Sequence, residues 1–413
     1  MSKLARELVP SFCAWVPMNT SSRSDINEDF LLSGGGRIYQ LLKRIGNRQR
    51  GAAQVTRRVV VLVFIGWVPL LLLSLVNGLA FGNQVAEPLL HDLNTNIRSL
   101  VVVPLLIIAD VVVDPNLAGV IKTFVNSDLM APGQGPRFQL TLNRIARLRD
   151  SPWVEAVLLV AALIASYQII RIDLHDGRSS WLATTSGTAE QITIAGWWYG
   201  LVSGPIQRFL LYRWLWRLLL WCGLLWRISR MDLHLIPTHP DRAAGLMFFG
   251  YGQYSFAIVI FAAGTIASAQ IGEQIIWQSA ELSSYKTLIV GYVVLCVGLI
   301  LGPLLVFSKK LWAAKLQGLR EYGVLGQKYT QSFDKKWIRG QAAEAEPLLG
   351  TGDIQSLADL GNSYEIITEM KIVPVNRRVA LGLLGAAVAP ILPLLLFRFS
   401  LQDLLLKILN MLE

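Results

Sequence analysis

Long runs of apolar residues alternate with shorter polar segments along most of the chain. A helix needs about 20 mainly apolar residues to cross the hydrocarbon core of a bilayer. The last apolar run contains Pro390 and Pro393, so it predicts either a seventh span or a re-entrant hairpin. The candidate spans are 59–80, 99–122, 152–170, 205–226, 245–270, 287–307 and 379–397.

Helical periodicity also appears outside the apolar runs. Residues 37–58 mix basic and apolar positions in a pattern typical of an amphipathic helix on the inner membrane surface. Residues 308–378 predict two amphipathic helices that either pack as a hairpin or bind partner subunits, and 399–413 predict an interfacial helix. The chain is thus divided into an N-terminal cytosolic segment (1–58), a six-helix transmembrane domain (59–307), a cytosolic helical segment (308–378) and a C-terminal region (379–413).

Composition agrees with a membrane protein. Of the 413 residues, 53% are hydrophobic and 16% are charged, whereas a soluble domain has about 45–50% apolar and about 25% charged residues. This composition excludes a disordered, collagen-like or disulfide-rich chain. We therefore predict an all-α polytopic helical membrane protein with six to seven transmembrane helices plus cytosolic amphipathic helices.

The basic residues predict an orientation in the membrane. Segments on one side of the candidate spans hold 28 of the 38 Lys and Arg residues, and the formal net charge is +10. Loops rich in Lys and Arg stay in the cytosol, so we expect a cytosolic N-terminus in a plasma (inner) membrane. This distribution accounts for the net charge, and we expect no nucleic-acid partner. The basic segments are 1–58, 123–151, 227–244 and 308–378.

Two pairs of opposite charges lie inside candidate spans. Asp110 and Asp114 are four residues apart in span 2, and Arg213 and Arg217 are four apart in span 4, so each pair shares one helix face. Both spans run in the same direction, which predicts that the pairs face each other or a water-filled cavity. Three interpretations stay open: an ion or substrate pathway, a structural salt bridge, or a helix boundary that moves some charges to the membrane edge.

Other candidate residues flank span 4. Arg208 lies near the outer start of span 4. We expect it to contact lipid headgroups or to line an outer vestibule. The inner loop after span 4 contains His234, His239, Asp241 and Arg242. It reads as a capped turn, with Asp241 capping the next helix, or as a titratable gate or partner contact. The spacing matches no metal motif, so we predict neither a metal site nor a cofactor.

No motif in the chain indicates a particular reaction, and we assign no catalytic residue. The favoured function is an integral membrane channel or transporter with a charged pathway between spans 2 and 4. The alternative is a non-catalytic scaffold, sensor or assembly component. Besides the lipid bilayer, its partner would be a second copy or another membrane protein bound through the cytosolic helices. A membrane-embedded enzyme is the third and least favoured class.

Overall fold

The computed structural model describes residues 52–81, 85, 87–175, 180–186, 189–278, 280–340 and 352–397 of the chain. Most of these residues lie in helices, and within these ranges the strands form one two-stranded hairpin. The all-α prediction is confirmed. The predicted N-terminal segment up to residue 51 and the predicted C-terminal helix 399–413 lie outside the described residues.

The helices and strands follow one another in this order. The first five helices are α1 (Ala52–Val76), α2 (Leu93–Ile97), α3 (Val103–Asn126), α4 (Gly135–Arg149) and α5 (Pro152–His175). Strands β1 (Ala183–Ser186) and β2 (Ala189–Ile192) pair antiparallel, with Ala183 opposite Ile192. The later helices are α6 (Ile194–Trp198), α7 (Gly204–Ser229), α8 (Met247–Tyr254), α9 (Ala257–Gln278), α10 (Lys286–Leu301), α11 (Ser308–Phe333), α12 (Asp353–Thr368) and α13 (Arg377–Val388).

Six helical segments are long and apolar enough to cross a membrane, which indicates a multi-pass membrane protein. Helix α7, the predicted fourth span, is not among them, because its arginines lower its hydropathy. The predicted seventh run is among them. The six are Ala53–Val76, Leu93–Asn126, Pro152–Ile172, Met247–Trp277, Leu282–Ile338 and Arg377–Leu395.

Two of the long helices contain a π turn near their first residues. Arg98–Val102 joins α2 to α3, and Tyr199–Ser203 joins α6 to α7. In each case a proline, Pro104 or Pro205, follows the π turn with one residue in between. Proline has no N–H to donate to the preceding turn, so it favours a local change in the hydrogen-bond pattern at this point. Single π turns inside α-helices often mark functional sites.

The bundle has two ends that are useful for orientation. The hairpin end consists of residues 77–81, 85, 87–92 and the β hairpin, which are joined where Trp181 N donates to Glu87 O (3.0 Å). The loop end consists of residues 127–134 and 231–246, joined by a backbone bridge between Met130 and Leu233. Helices α3 and α7 therefore both run from the hairpin end towards the loop end.

The last helix packs along α9. Helix α13 continues as a 3-10 segment, Ala389–Phe397, and Ile391 and Leu394 are buried with Ile271 of α9. Leu282, which follows the end of α9, packs against this cluster, and Trp277 of α9 contacts His91 of the hairpin end (ring centroids 6.4 Å apart). The segment therefore runs from the loop end to the hairpin end beside α9, in the manner of a span.

Helices α10 and α11 form one long run that leaves the bundle at the loop end. A 3-10 segment, Gly302–Phe307, connects them without a break, and the whole run covers 57 residues. At about 1.5 Å per residue it is roughly 85 Å long, far more than the ~30 Å hydrocarbon core. Helix α12 packs antiparallel on α11, with Tyr329 Oη donating to Asp353 O (3.1 Å) and Lys315 Nζ donating to Met370 O (2.9 Å).

Candidate functional site

Helices α3 and α7 lie side by side and parallel. Three hydrogen bonds join them along their length, each between residues 107 or 108 positions apart. A constant offset means that the two helices advance together over about three turns. The bonds run from Gln207 Nε2 to Ser99 Oγ (2.9 Å), from Trp214 Nε1 to Leu106 O (2.9 Å), and from Arg217 Nη1 to Asp110 Oδ1.

Asp110 is shared by two arginines in the middle of this interface. Arg217 Nη1 donates to Asp110 Oδ1, and Arg213 Nη2 lies 3.9 Å from Asp110 Oδ2. The side chains of Arg217, Arg213 and Asp110 are only 4%, 10% and 13% exposed. The guanidinium of Arg217 also lies over the ring of Trp214, 4.6 Å from its centroid. Buried charges of this kind are stable only when they are paired. We call Ser99, Asp110, Gln207, Arg213 and Arg217 the polar seam.

Asp114 lies one turn beyond Asp110 on α3 and is 6% exposed. Helix α3 continues through Pro115 as far as Asn126. Pro115 therefore does not end the helix, and Asp114 is buried inside the bundle. Three of the four predicted intramembrane charges therefore meet at one point, where Asp110 pairs with Arg213 and Arg217.

A second polar cluster lies at the hairpin end. Arg208 Nη1 donates to Ser166 Oγ (3.2 Å) and Arg208 Nη2 donates to Tyr199 Oη (3.4 Å). Arg208 is 6% exposed, so it points into the protein and not towards lipid headgroups. Gly204 makes room for it, because a Cβ at that position would lie 2.8 Å from both Arg208 Nη1 and Ser166 Oγ.

Acidic residues complete this cluster. Asp92 is buried and accepts from Thr95 N (2.7 Å) and Trp181 Nε1 (2.9 Å). Arg98, the first residue of a π turn, interacts electrostatically with Arg208 and Asp92. Glu273 of α9 also interacts with Arg98. We call Asp92, Arg98, Tyr199, Arg208 and Glu273 the hairpin-end cluster. Sequence reasoning predicted only Arg208 of this set, because Asp92 and Arg98 precede the predicted start of span 2 and Glu273 follows the predicted end of span 5.

Buried polar atoms without a hydrogen-bond partner lie near the polar seam. Within the described residues they include Arg217 Nη2, Trp221 Nε1, and both Oε1 and Nε2 of Gln253. Trp221 and Gln253 are 0% exposed and Arg217 is 3% exposed. The sequence analysis did not single out Gln253, although it is one of only two glutamines in the apolar run 245–270. Such groups in native proteins normally have a partner, often water or a ligand.

The loop after α7 is organised around Asp241. Its Oδ1 accepts from Ala243 N (2.8 Å) and Gly245 N (3.0 Å), and its Oδ2 accepts from Met247 N (3.0 Å). Two of these donors lie in the loop and one is the first residue of α8, whose N-cap position is Leu246. Asp241 therefore organises the loop that leads into α8, although it does not occupy the N-cap position predicted for it. His239 Nδ1 lies 2.8 Å from Asp241 Oδ1.

The other predicted loop residues face neighbouring segments. Arg242 has a positive φ of 55°, as does Ala244 with 51°, and such backbone angles are strained for residues with a side chain. The Arg242 side chain pairs with Glu369 (2.6 Å), and its carbonyl accepts from Lys371 N (2.8 Å). His234 is exposed, and its backbone N–H donates to Leu129 O (2.8 Å) in the neighbouring segment of the loop end.

No protein-family model, no curated protein and no solved structure matches the chain. The buried charges and the packing around them therefore carry the functional argument.

Proposed function

We propose that the chain is an ion channel or transporter whose pathway follows the polar seam between α3 and α7. The observation that carries this proposal is Asp110 held between Arg213 and Arg217 inside the bundle. A charged side chain at the centre of a bilayer costs at least about 2.5–3.5 kcal/mol on insertion scales. Residues of this kind commonly belong to ion pathways and proton relays.

The arrangement of Asp110 supports movement along the seam. One carboxylate serves two guanidinium groups, a bonded one on Arg217 and a second at 3.9 Å on Arg213. A small rotation of the Asp110 side chain exchanges one partner for the other without leaving the carboxylate unpaired. A pathway needs groups that release an ion as readily as they bind it.

The polar residues also extend over a distance that suits a pathway. Asp92 of the hairpin-end cluster and Asp114 are both buried on the α2–α3 helix. At about 1.5 Å per residue, the 22-residue separation is roughly 33 Å. This length is close to the ~30 Å thickness of the hydrocarbon core.

We also propose that the loop end faces the cytosol in a plasma membrane. The basic segments that begin or end at the loop end contain most of the 38 Lys and Arg residues. The positive-inside rule then assigns a cytosolic N-terminus. Reporter fusions to the loop at 231–246 and to the hairpin end test this assignment, since only a cytosolic site supports a fluorescent cytosolic reporter.

Flux measurements on charge variants test the pathway. We expect Asp110→Asn and Arg217→Gln to change ion flux into liposomes while folded protein is still recovered. The double variant Asp110→Arg with Arg217→Asp keeps the opposite charges but exchanges their positions, so it should recover folding and still alter flux. Arg171→Gln, an exposed arginine on α5, is the matched control. The pathway is contradicted if every folded variant has the same ion flux as the wild type. It is also contradicted if the double variant recovers folding but neither it nor the wild type conducts any ion.

A second candidate function is assembly with another protein through α11 and α12. Val324, Leu325, Ile338 and Ile354 are 57%, 50%, 67% and 49% exposed on this helical pair. Apolar side chains exposed together outside the membrane favour an interaction surface. Leu325→Glu should then lower the oligomeric mass or partner recovery while leaving the flux of the purified chain unchanged.

A further inference from the structure

On the loop-end side of Asp110, residues of α3, α7 and α8 lie in one layer of the bundle. Gly252 of α8 lies against α3, since a Cβ there would be 2.7 Å from Val120 Cγ2 and 3.6 Å from Leu117 Cδ2. Phe256, just beyond α8, stands edge-on to Trp214 of α7, with ring centroids 6.5 Å apart. Gln253 lies between these two contacts along the chain, and Arg217 and Trp221 follow Trp214 on α7 towards the loop end. The three residues therefore belong to the same layer of the bundle.

Regular helix stops in the same layer. Helix α8 ends at Tyr254 and α9 begins at Ala257, inside the candidate span Met247–Trp277. In between, Ser255 N donates to Gly252 O (3.2 Å) and Phe256 N donates to Gln253 O (3.1 Å). Irregular backbone at membrane depth is tolerated where it is buried in protein or lines a cavity, and broken helices in transporters mark binding sites.

Three buried side chains in this layer have polar atoms with no hydrogen-bond partner among the described residues. Arg217 Nη2, Trp221 Nε1 and Gln253 Nε2 are donors, and Gln253 Oε1 is the one acceptor of the group. These residues are at least 97% buried, with exposures of 3%, 0% and 0%. Trp221 lies one turn beyond Arg217 on the same face of α7. The excess of donors over acceptors indicates a ligand that accepts hydrogen bonds.

We propose that Arg217, Trp221 and Gln253 bind a small monovalent anion of the halide class between α7 and α8. The guanidinium supplies positive charge, and the indole and amide N–H groups supply neutral donors to an ion that accepts bonds and donates none. A low-dielectric site strengthens these contacts. This inference rests on the proposed ion pathway and names the class of ion that it takes.

Thermal unfolding of the full-length protein in detergent tests the site directly. Circular dichroism gives the midpoint in sodium chloride, in sodium bromide and in sodium gluconate at equal ionic strength. An ion that binds only the folded state raises the midpoint, and we expect a rise of about 2 °C or more in chloride and bromide over gluconate. Gluconate is a much larger anion than either halide, so it serves as the reference at equal ionic strength.

Variants assign the effect to these residues. Trp221→Phe and Gln253→Leu remove an N–H donor each and should abolish the difference between chloride and gluconate. The matched controls are Trp226→Phe, an exposed position on α7, and Gln270→Leu, an exposed position on α9, and both should keep it. If water alone fills the site, chloride and gluconate give equal midpoints in the wild type, and the proposal fails. It also fails if the difference survives in both Trp221→Phe and Gln253→Leu.

A measurement on the wild type keeps the proposal testable if the variants do not fold. Bromide quenches tryptophan at short range, so occupied sites beside Trp221 and Trp214 should add a saturable component to the quenching curve. A strictly linear curve overturns the proposal. If the unfolding midpoint depends on the anion but no ion flux is measured, the pathway is contradicted and the anion site is not. If cations cross the membrane and the midpoint does not depend on the anion, the anion site alone is contradicted.

Discussion

The indole N–H of Trp214 donates a hydrogen bond of 2.9 Å to the backbone carbonyl of Leu106 across the interface between α3 and α7. Leu106 lies one turn before Asp110, and Trp214 also stacks against Arg217. One tryptophan therefore fixes the relative position of the two helices and restrains the guanidinium that binds Asp110. The charged pair is held by its neighbours as well as by its own attraction.

Trp214→Phe should lower the free energy of unfolding by about 1–2 kcal/mol, because the Leu106 carbonyl loses a buried donor while an aromatic ring is kept. Unfolding in mixed detergent and SDS micelles measures this loss. Trp226→Phe removes an exposed indole from the same helix and should change stability by less than about 0.5 kcal/mol. Equal stabilities of the two variants would show that the bond to Leu106 contributes nothing.

Gly204→Ala should destabilise the hairpin-end cluster. The new methyl group would lie 2.8 Å from Arg208 Nη1 and from Ser166 Oγ, so these side chains must move apart. Overpacking of this kind costs about 1–3 kcal/mol. Gly223→Ala on the same helix meets only Ile145 Cδ1 at 4.0 Å and should be neutral or stabilising. The thermal unfolding midpoints of the two variants test this explanation. A midpoint for Gly223→Ala below that of Gly204→Ala would refute it.

Asp241→Ala should release the loop between α7 and α8. Three backbone N–H groups lose their acceptor, and the strained backbone of Arg242 and Ala244 loses its support. We expect a loss of about 2–4 kcal/mol and faster proteolytic cleavage within 231–246. Asp359→Ala, at an exposed position on α12, is the control for removing an aspartate. Protection equal to the wild type would mean that Asp241 does not organise the loop.

The contact between α11 and α12 should weaken in acid. Hydrogen bonds from Lys336 and Trp337 lower the pKa of Asp353 from its ordinary value of 3.8. A carboxylate with a lowered pKa in the folded state stabilises that state above its unfolded pKa, and this stabilisation is lost as the pH falls through the lower folded value. The fluorescence of Trp337, obtained as the difference from Trp337→Phe, should therefore change below about pH 4. Asp353→Asn should show no such transition.

The central charge pairs could be predicted from the sequence because their information is local. Spacing by four places Asp110 with Asp114, and Arg213 with Arg217, on single helix faces. The cost of an isolated charge in a bilayer then requires partners, and the shared direction of the two helices makes them partners for each other. The structure joins Asp110 with both arginines in agreement with this reasoning.

Other parts of the site depend on tertiary packing and could not be predicted in the same way. A glutamine inside an apolar run does not indicate which helix face is buried, so Gln253 carried no assignment. The burial of Arg208 depends on Ser166 of α5, which is distant in the sequence, and on Tyr199 in the π turn that precedes α7. Pro104 and Pro205 are evident in the sequence. The π turns before them also depend on packing between helices, which the sequence alone does not indicate.

The unbroken run from Leu282 to Ile338 has a mechanical consequence. Lys310 Nζ is bonded to Met231 O of the loop end, and Gly318 still lies against Pro237 of the same loop. Beyond Gly318 the remaining 20 residues extend roughly 30 Å. A tilt of about 10° at Gly318 would displace Ile338 by roughly 5 Å, so a small rearrangement of the bundle becomes a larger movement at the far end of this helix.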